Sequence, residues 1–290
     1  MKQPDQMRRF LFEDNPIRGQ HVSLDSSWKQ IVHQSGAEGY ALQLLGEALT
    51  AAALLVETLK IDGSVSLQIR GKGAIHLLVA EATSRRTIRG IIRQTSPIGE
   101  QQSLRQIFDS DSLVITIHNK AGKPHQGIVP LQGNELSAAL QAYFDQSEQL
   151  PTRIWLACNQ DSASGLLLQR LPGESGDEDA WNRLQQLADT TRDEELLGLE
   201  AAQLLHRLFH EEDLRLFEGE AMEFACTCSS GRIRDMLISL GESEVETILR
   251  EEGEVAVTCE FCNARYQFDG VDLALMFKED DIPPISPTRH

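Results

Sequence analysis

Residues 226–262 read CTCSSGRIRDMLISLGESEVETILREEGEVAVTCEFC. Cys226-Thr227-Cys228 opens the stretch, Cys259-Glu260-Phe261-Cys262 closes it, and thirty residues, 229 to 258, lie between. Four thiols in two tight pairs have two chemical uses. Together they can hold one tetrahedral Zn²⁺, or each pair can close on itself as a disulfide. The uses exclude each other, because a sulfur in a disulfide is no longer a thiolate ligand. Cys226, Cys228, Cys259 and Cys262 are therefore the expected ligands of one zinc ion per chain. No His lies between the pairs to offer a mixed ligand set. A purely structural zinc site that never changes state fits the same spacing.

The neighbouring sequence explains why such a module needs a metal. Residues 233–240 and 244–250 read as two short helices around Gly241, and Arg265-Tyr266-Gln267-Phe268 reads as a returning strand. About 65 residues with few large apolar groups make a poor independent core. Zinc binding worth roughly 10–16 kcal/mol in small zinc peptides covers that deficit. The first pair is C-x-C, tighter than the usual C-x-x-C. A Cys259–Cys262 bridge is sterically easy, whereas Cys226–Cys228 is strained unless the chain turns at Thr227. The spacing thus predicts that Cys259–Cys262 forms first.

Upstream, residues 1–173 read as an α+β domain built on an antiparallel sheet. EGYALQLLGEALTAAALLVETLK, residues 38–60, is a long helix whose Ala-rich, nearly uncharged middle implies burial on most sides. Residues 64–70 then alternate, with Val65, Leu67 and Ile69 on one face. Gly71-Lys72-Gly73 is a turn, with no G-x-G-x-x-G to make it a phosphate loop. Residues 75–80, 87–93, 113–118, 126–130, 153–158 and 165–171 read as further strands, and 136–144 as a helix. Strands joined by short turns with helices at the ends define the class.

The pattern breaks at Leu171-Pro172-Gly173-Glu174-Ser175-Gly176-Asp177. From there to about Leu216 the apolar spacing is helical, through Trp181, Leu184, Leu187 and Ala188 and on to Leu204, Leu205, Leu208 and Phe209. The net charge is −17, unevenly placed: +1 over residues 1–173, −11 over 174–223 and −7 over 224–290. Dense like charge works against a compact state. Residues 174–225 are therefore either an ordinary solvated helical linker or a segment folded only while packed on its neighbours. The acidic excess argues against nucleic acid as a partner, since phosphate contacts need clustered Lys and Arg.

No apolar run follows the opening MKQPDQMRRF, so no secretory signal is expected. The apolar stretch around Ala48 to Val56 is shorter than the ~20 residues of a membrane span. A cytoplasmic protein with reduced thiols follows. Cys158, between apolar residues, reads as a buried structural thiol. His206 and His210 stand at i, i+4, with no HExxH pattern and no third ligand. No nucleophile motif or ATP-binding sequence is present, so an enzyme is not expected. A thiol–disulfide oxidoreductase using Cys259 and Cys262 is weakened because its C-x-x-C does not open a helix in a thioredoxin-like unit.

The C-x-C, thirty-residue gap, C-x-x-C arrangement resembles the heat shock protein 33 family of redox-regulated bacterial holdase chaperones. Arg9-Phe10-Leu11-Phe12-Glu13, Ser147-Glu148-Gln149-Leu150-Pro151-Thr152-Arg153, Leu208-Phe209-His210-Glu211-Glu212 and Phe224-Ala225-Cys226-Thr227-Cys228-Ser229 look like family sequence. The resemblance implies a zinc-bound, inactive monomer when reduced. It implies that oxidants form Cys226–Cys228 and Cys259–Cys262 and expel zinc. Residues 226–290 and then the acidic segment would unfold, and a dimerising protein would bind unfolding clients without ATP. The competing reading is a constitutive zinc-ribbon module that binds a protein partner.

Overall fold

The computed structural model describes residues 4–98, 102–131, 133–173 and 177–280. Residues 174–176 of the expected break, and 281–290 of the expected C-terminal module, lie outside them. The chain divides into two compact units, one ending at Ala225 and one beginning at Cys226.

The first unit runs β1 (Gln6–Phe12), β2 (Ile17–Leu24), α1 (Ser26–Ser35), α2 (Gly39–Leu59), β3 (Gly63–Arg70), β4 (Ile75–Thr83), β5 (Thr87–Gln94), α3 (Leu104–Phe108), β6 (Ser112–Asn119), β7 (His125–Pro130), α4 (Leu136–Tyr143), β8 (Thr152–Cys158), β9 (Ala163–Arg170), α5 (Ala180–Ala188), α6 (Asp193–Gly198), α7 (Ala201–Phe209), β10 (Leu214–Leu216), β11 (Glu220–Ala221) and β12 (Glu223–Phe224). One sheet orders β10-β1-β2-β9-β8, with β11 also on β1; the other orders β12-β5-β4-β3-β6-β7. The class is α+β on sheets that are antiparallel apart from the short β12–β5 pair, as the strands joined by short turns predict.

Helix α2 touches strands of both sheets. That placement explains its composition: with walls on two sides, the helix keeps only a narrow half-buried polar stripe of Gln43, Glu47 and Glu57. Its length and apolarity would suit a membrane span, contrary to the expectation from the 48–56 stretch, but most of it is buried between the sheets. Thr50 and Thr58 are buried on it without cost in lost partners. Their hydroxyls donate to the carbonyls of Gly46 (2.9 Å) and Leu54 (2.6 Å).

Strand β9 is buried on both faces. Leu167 joins the main core around α2, while Leu166 and Leu168 point the other way, into a second core with Phe10, Phe12 and Ile17. The acidic helices α5–α7 cover that second face with Trp181, Leu184, Leu196, Leu204, Leu205, Leu208 and Phe209. Their charges stay outside and pair within the segment, as in Arg183–Glu212 (2.8 Å) and Arg207–Glu195 (2.7 Å). The helical reading ends too late: Leu214–Leu216 is strand β10, paired with β1 through Phe10↔Leu216 and Phe12↔Leu214. Pairing with an open edge overrides the helical spacing there.

The second unit holds α8 (Ser230–Leu240), α9 (Glu242–Glu252), β13 (Val255–Thr258), β14 (Arg265–Phe268) and α10 (Gly270–Asp280). Its buried core contains Leu237, Val245, Val255, Phe268, Leu273 and Met276. A core of that size is what the composition of this region predicts.

Candidate metal centre

The two cysteine pairs are presented by different local devices. Cys226 and Cys228 leave the end of β12 and enter α8. The Ser229 hydroxyl caps that helix by accepting the Arg232 N–H at 3.2 Å, so Cys228 sits at a helix start, where backbone dipoles favour negative charge. Cys259 and Cys262 lie in the six-residue loop of the β13–β14 hairpin, beyond the Thr258↔Arg265 pair. The Cys259 N–H donates to Ala264 O at 2.9 Å, and the Asn263 N–H donates to Cys259 O at 2.8 Å. Asn263 takes the left-handed conformation, φ 57°, that this tight return needs.

These devices bring all four sulfurs within 4.8 Å of one another. Cys226 Sγ lies 3.6 Å from Cys259 Sγ, and Cys228 Sγ lies 3.3 Å from Cys262 Sγ. A regular tetrahedron of sulfurs around Zn²⁺, with bonds of about 2.3 Å, has edges of about 3.8 Å. The donor set and the spacing therefore fit a closed tetrahedral Cys₄ site. All five cysteines are free thiols, and these four are half-buried.

The electrostatics favour a bound cation. The Tyr266 hydroxyl donates to Cys228 Sγ at 3.1 Å. That hydrogen bond is the main reason the Cys228 thiol is held down at about 7. Burial pushes the Cys226 thiol up, and pushes Cys262 up to about 12. Sulfurs this close cannot all carry negative charge unaided. A bound metal ion would supply the missing positive charge. Sequence reasoning missed Tyr266; its signal was the i, i+2 pair Tyr266 and Phe268, which turns Tyr266 inward with the buried Phe268.

The other residues singled out fall elsewhere. Cys158 ends β8, half-buried against the main core, and burial raises its pKa well above the usual thiol range. Gly46 makes room for it: a Cβ there would stand 2.2 Å from Cys158 Sγ. His206 and His210 stack edge-on at 6.1 Å. Among the described residues the four cysteines are the only cluster of three or more Cys, His, Asp or Glu with metal-binding spacing. Gly71 serves the turn by close approach, since a Cβ would meet Phe108 O at 1.7 Å.

Comparison with known proteins gives consistent matches. A family model described as "Hsp33 protein" matches residues 5–269. The "33 kDa chaperonin" of Nitrosococcus oceani is 44% identical over 290 residues, covering 100% of both chains. That of Neisseria meningitidis is 44% identical over 279 residues, covering 95% of this chain and 92% of its own. That of Methylobacillus flagellatus is 42% identical over 294 residues, covering 100% of both. The crystal structure of the 33 kDa chaperonin (heat shock protein 33 homolog) from Thermotoga maritima superposes with a TM-score of 0.81, covering 96% of this chain and 100% of its own. At 24% identity that likeness speaks to the fold.

Proposed function

The chain belongs to the Hsp33 family, and from that premise we propose that it is a redox-regulated, ATP-independent chaperone, a holdase that binds unfolding proteins under oxidative stress. One observation carries the regulatory part: four sulfurs converge within 4.8 Å in a unit with a small apolar core. Cys226, Cys228, Cys259 and Cys262 are the residues that would hold one Zn²⁺ in the reduced protein. When bound, the ion supplies a four-point cross-link and keeps the sulfurs as thiolates.

Oxidation acts on those sulfurs directly. One thiolate of a pair attacks a peroxide oxygen, becomes a sulfenic acid and releases hydroxide. The second thiolate attacks that sulfur, forms the disulfide and releases a second hydroxide. Each pair gives two electrons to one peroxide, yielding Cys226–Cys228 and Cys259–Cys262. The bonded sulfurs no longer act as thiolate ligands, and the small core does not hold residues 226–280 alone. The acidic helices α5–α7 then release from the first sheet. The apolar surface so exposed captures clients, and the oxidised protein forms a homodimer where the reduced one is a monomer. Free thiols suit the reducing cytoplasm.

The test compares reduced, zinc-loaded protein with peroxide-treated protein in a light-scattering assay of an aggregating client. The oxidised form suppresses scattering and the reduced form does not. One zinc is lost and four thiols are consumed per chain. Equal suppression by both forms would remove the switch in favour of a constitutive zinc-ribbon binding module.

A further inference from the structure

Between α7 and Cys226 the chain runs as an extended strap along the edges of both sheets of the first unit. Leu214–Leu216 and Glu220–Ala221 pair antiparallel with β1, and Glu223–Phe224 pairs in parallel with β5. The last part is held by main-chain groups. The Met222 N–H donates to Asp5 O (2.9 Å), the Glu223 N–H to Arg86 O (3.0 Å) and the Ala225 N–H to Ile88 O (3.2 Å).

Side chains along it alternate. Glu220, Met222 and Phe224 turn in, while Ala221 and Glu223 are exposed. Met222 is 5% exposed, a member of the main core, and Phe224 packs against the same core. The Glu220 carboxylate lies between two guanidiniums, 3.0 Å from Arg9 and in contact with Arg86. Both arginines also face Glu57, at 3.5 and 3.9 Å. Among the described residues, Arg86 Nε is buried without a hydrogen-bond partner, a donor left over in this clamp.

We propose that this strap mimics a client: the β5 edge, the sites filled by Met222 and Phe224, and the Arg9–Arg86 pair form a groove for an extended segment of an unfolded protein, which residues 220–225 occupy in the closed state. The inference rests on the proposed capture of clients after oxidation. Main-chain pairing at a sheet edge accepts many sequences, and alternate side-chain sites add preference. The preferred segment has an acidic residue followed at i+2 and i+4 by apolar ones. The own-chain occupant is held by short pairings, Gln6↔Ala221 and Met7↔Glu220 on β1 and Glu223↔Thr87 and Phe224↔Ile88 on β5. Its last hydrogen-bonded residue, Ala225, adjoins Cys226, so opening of the cysteine unit frees the strap's downstream end. Departure of Glu220 leaves two guanidiniums facing one carboxylate, a site charged to attract its replacement.

A fluorescent peptide of residues 218–225, EGEAMEFA, tests this on the full chain by anisotropy. It binds the peroxide-oxidised protein saturably and the reduced, zinc-loaded protein not at all, and in excess it lowers client protection. A peptide with Met222→Ser and Phe224→Ser binds at least about ten-fold more weakly, having lost both apolar anchors. A Glu220→Lys peptide is similarly weakened, and Arg86→Glu in the protein restores it. Oxidised protein that protects clients yet ignores the peptide, or binds the serine peptide equally well, overturns the groove while leaving the switch intact. Dissociation of the oxidised dimer by the peptide, with client protection unchanged, would assign the groove to a second copy and equally overturn it. Oxidised protein that protects no client removes the reading beneath both.

Discussion

Phe209 is the residue whose loss best separates the acidic helices from the sheet that carries them. Its ring meets Phe12 edge-on, with centroids 5.2 Å apart and planes at 85°, and lies 6.4 Å from Phe10. It is 2% exposed. Phe209→Ala removes most of that contact and leaves a cavity, costing about 3–5 kcal/mol. The loss falls on the core beneath α5–α7, whereas Val65, Leu67 and Ile115 belong to the separate core around α2. If the segment opens as a local unit, its opening constant rises by roughly two to four orders of magnitude. Native-state hydrogen exchange on reduced, zinc-loaded protein measures this. Amides of residues 180–209 accelerate by that factor, and those of β3, β4 and β6 do not. The reduced variant also suppresses client aggregation without peroxide. Equal acceleration across both sheets, or none in α5–α7, would refute the view that the acidic helices are a separable cover.

Three further outcomes are expected. Tyr266→Phe removes the hydroxyl that donates to Cys228 Sγ at 3.1 Å and weakens zinc retention against a competing chelator by about 10–100-fold, the usual loss for an outer partner of a ligand; unchanged retention would show that this hydrogen bond does not tune the site. Cys259→Ser leaves three sulfurs, so zinc content falls and the amides of residues 230–280 lose exchange protection while those of α2 keep theirs; a protected, zinc-free module would contradict the cross-link argument. Burial pushes the Glu47 carboxyl up to about 7 against a hydrogen bond from Gln43, with Asp193 and Glu135 adding to the rise, beside a cavity of about 290 Å³. Its folded pKa lies above its unfolded one, so its stabilisation is complete below about 4.5 and is lost as pH rises through about 7. Urea titrations should therefore find Glu47→Gln more stable than the parent above pH 7, by roughly 2–4 kcal/mol, with the gap closing toward acid pH; a gap independent of pH would be evidence against a buried charge.

The readable parts of the fold are those where one face meets water or where nothing does. Residues 64–70 alternate because one side of β3 faces the core, and α2 is apolar over most of its surface because strands of both sheets touch it. Strand β2 was illegible for the opposite reason. It is almost wholly buried yet carries Gln20, His21 and Ser23, which meet distant partners: Gln20 meets Thr58, His21 Nε2 meets Ser164, and Ser23 donates to Pro4 O. No local pattern encodes such partners. The strap was missed because β11 and β12 are two residues each, too short for periodicity, although Met222 and Phe224 already stood at i, i+2. The cysteine cluster was legible because sulfur chemistry needs few residues at short spacings. Tyr266 was not, because its role depends on how the hairpin turns.

Strand β1 is completed on its outer side by β10 and β11, about two hundred positions later in the chain. At roughly 5–20 residues per second, a ribosome takes about 10–40 s to cover that distance. Throughout that interval the newborn polypeptide carries Phe10 and Phe12 on an unfinished sheet margin, sticky toward every neighbouring nascent chain. Biosynthesis of this molecule thus poses to the cell the same aggregation problem that, under the proposed function, the finished molecule would relieve.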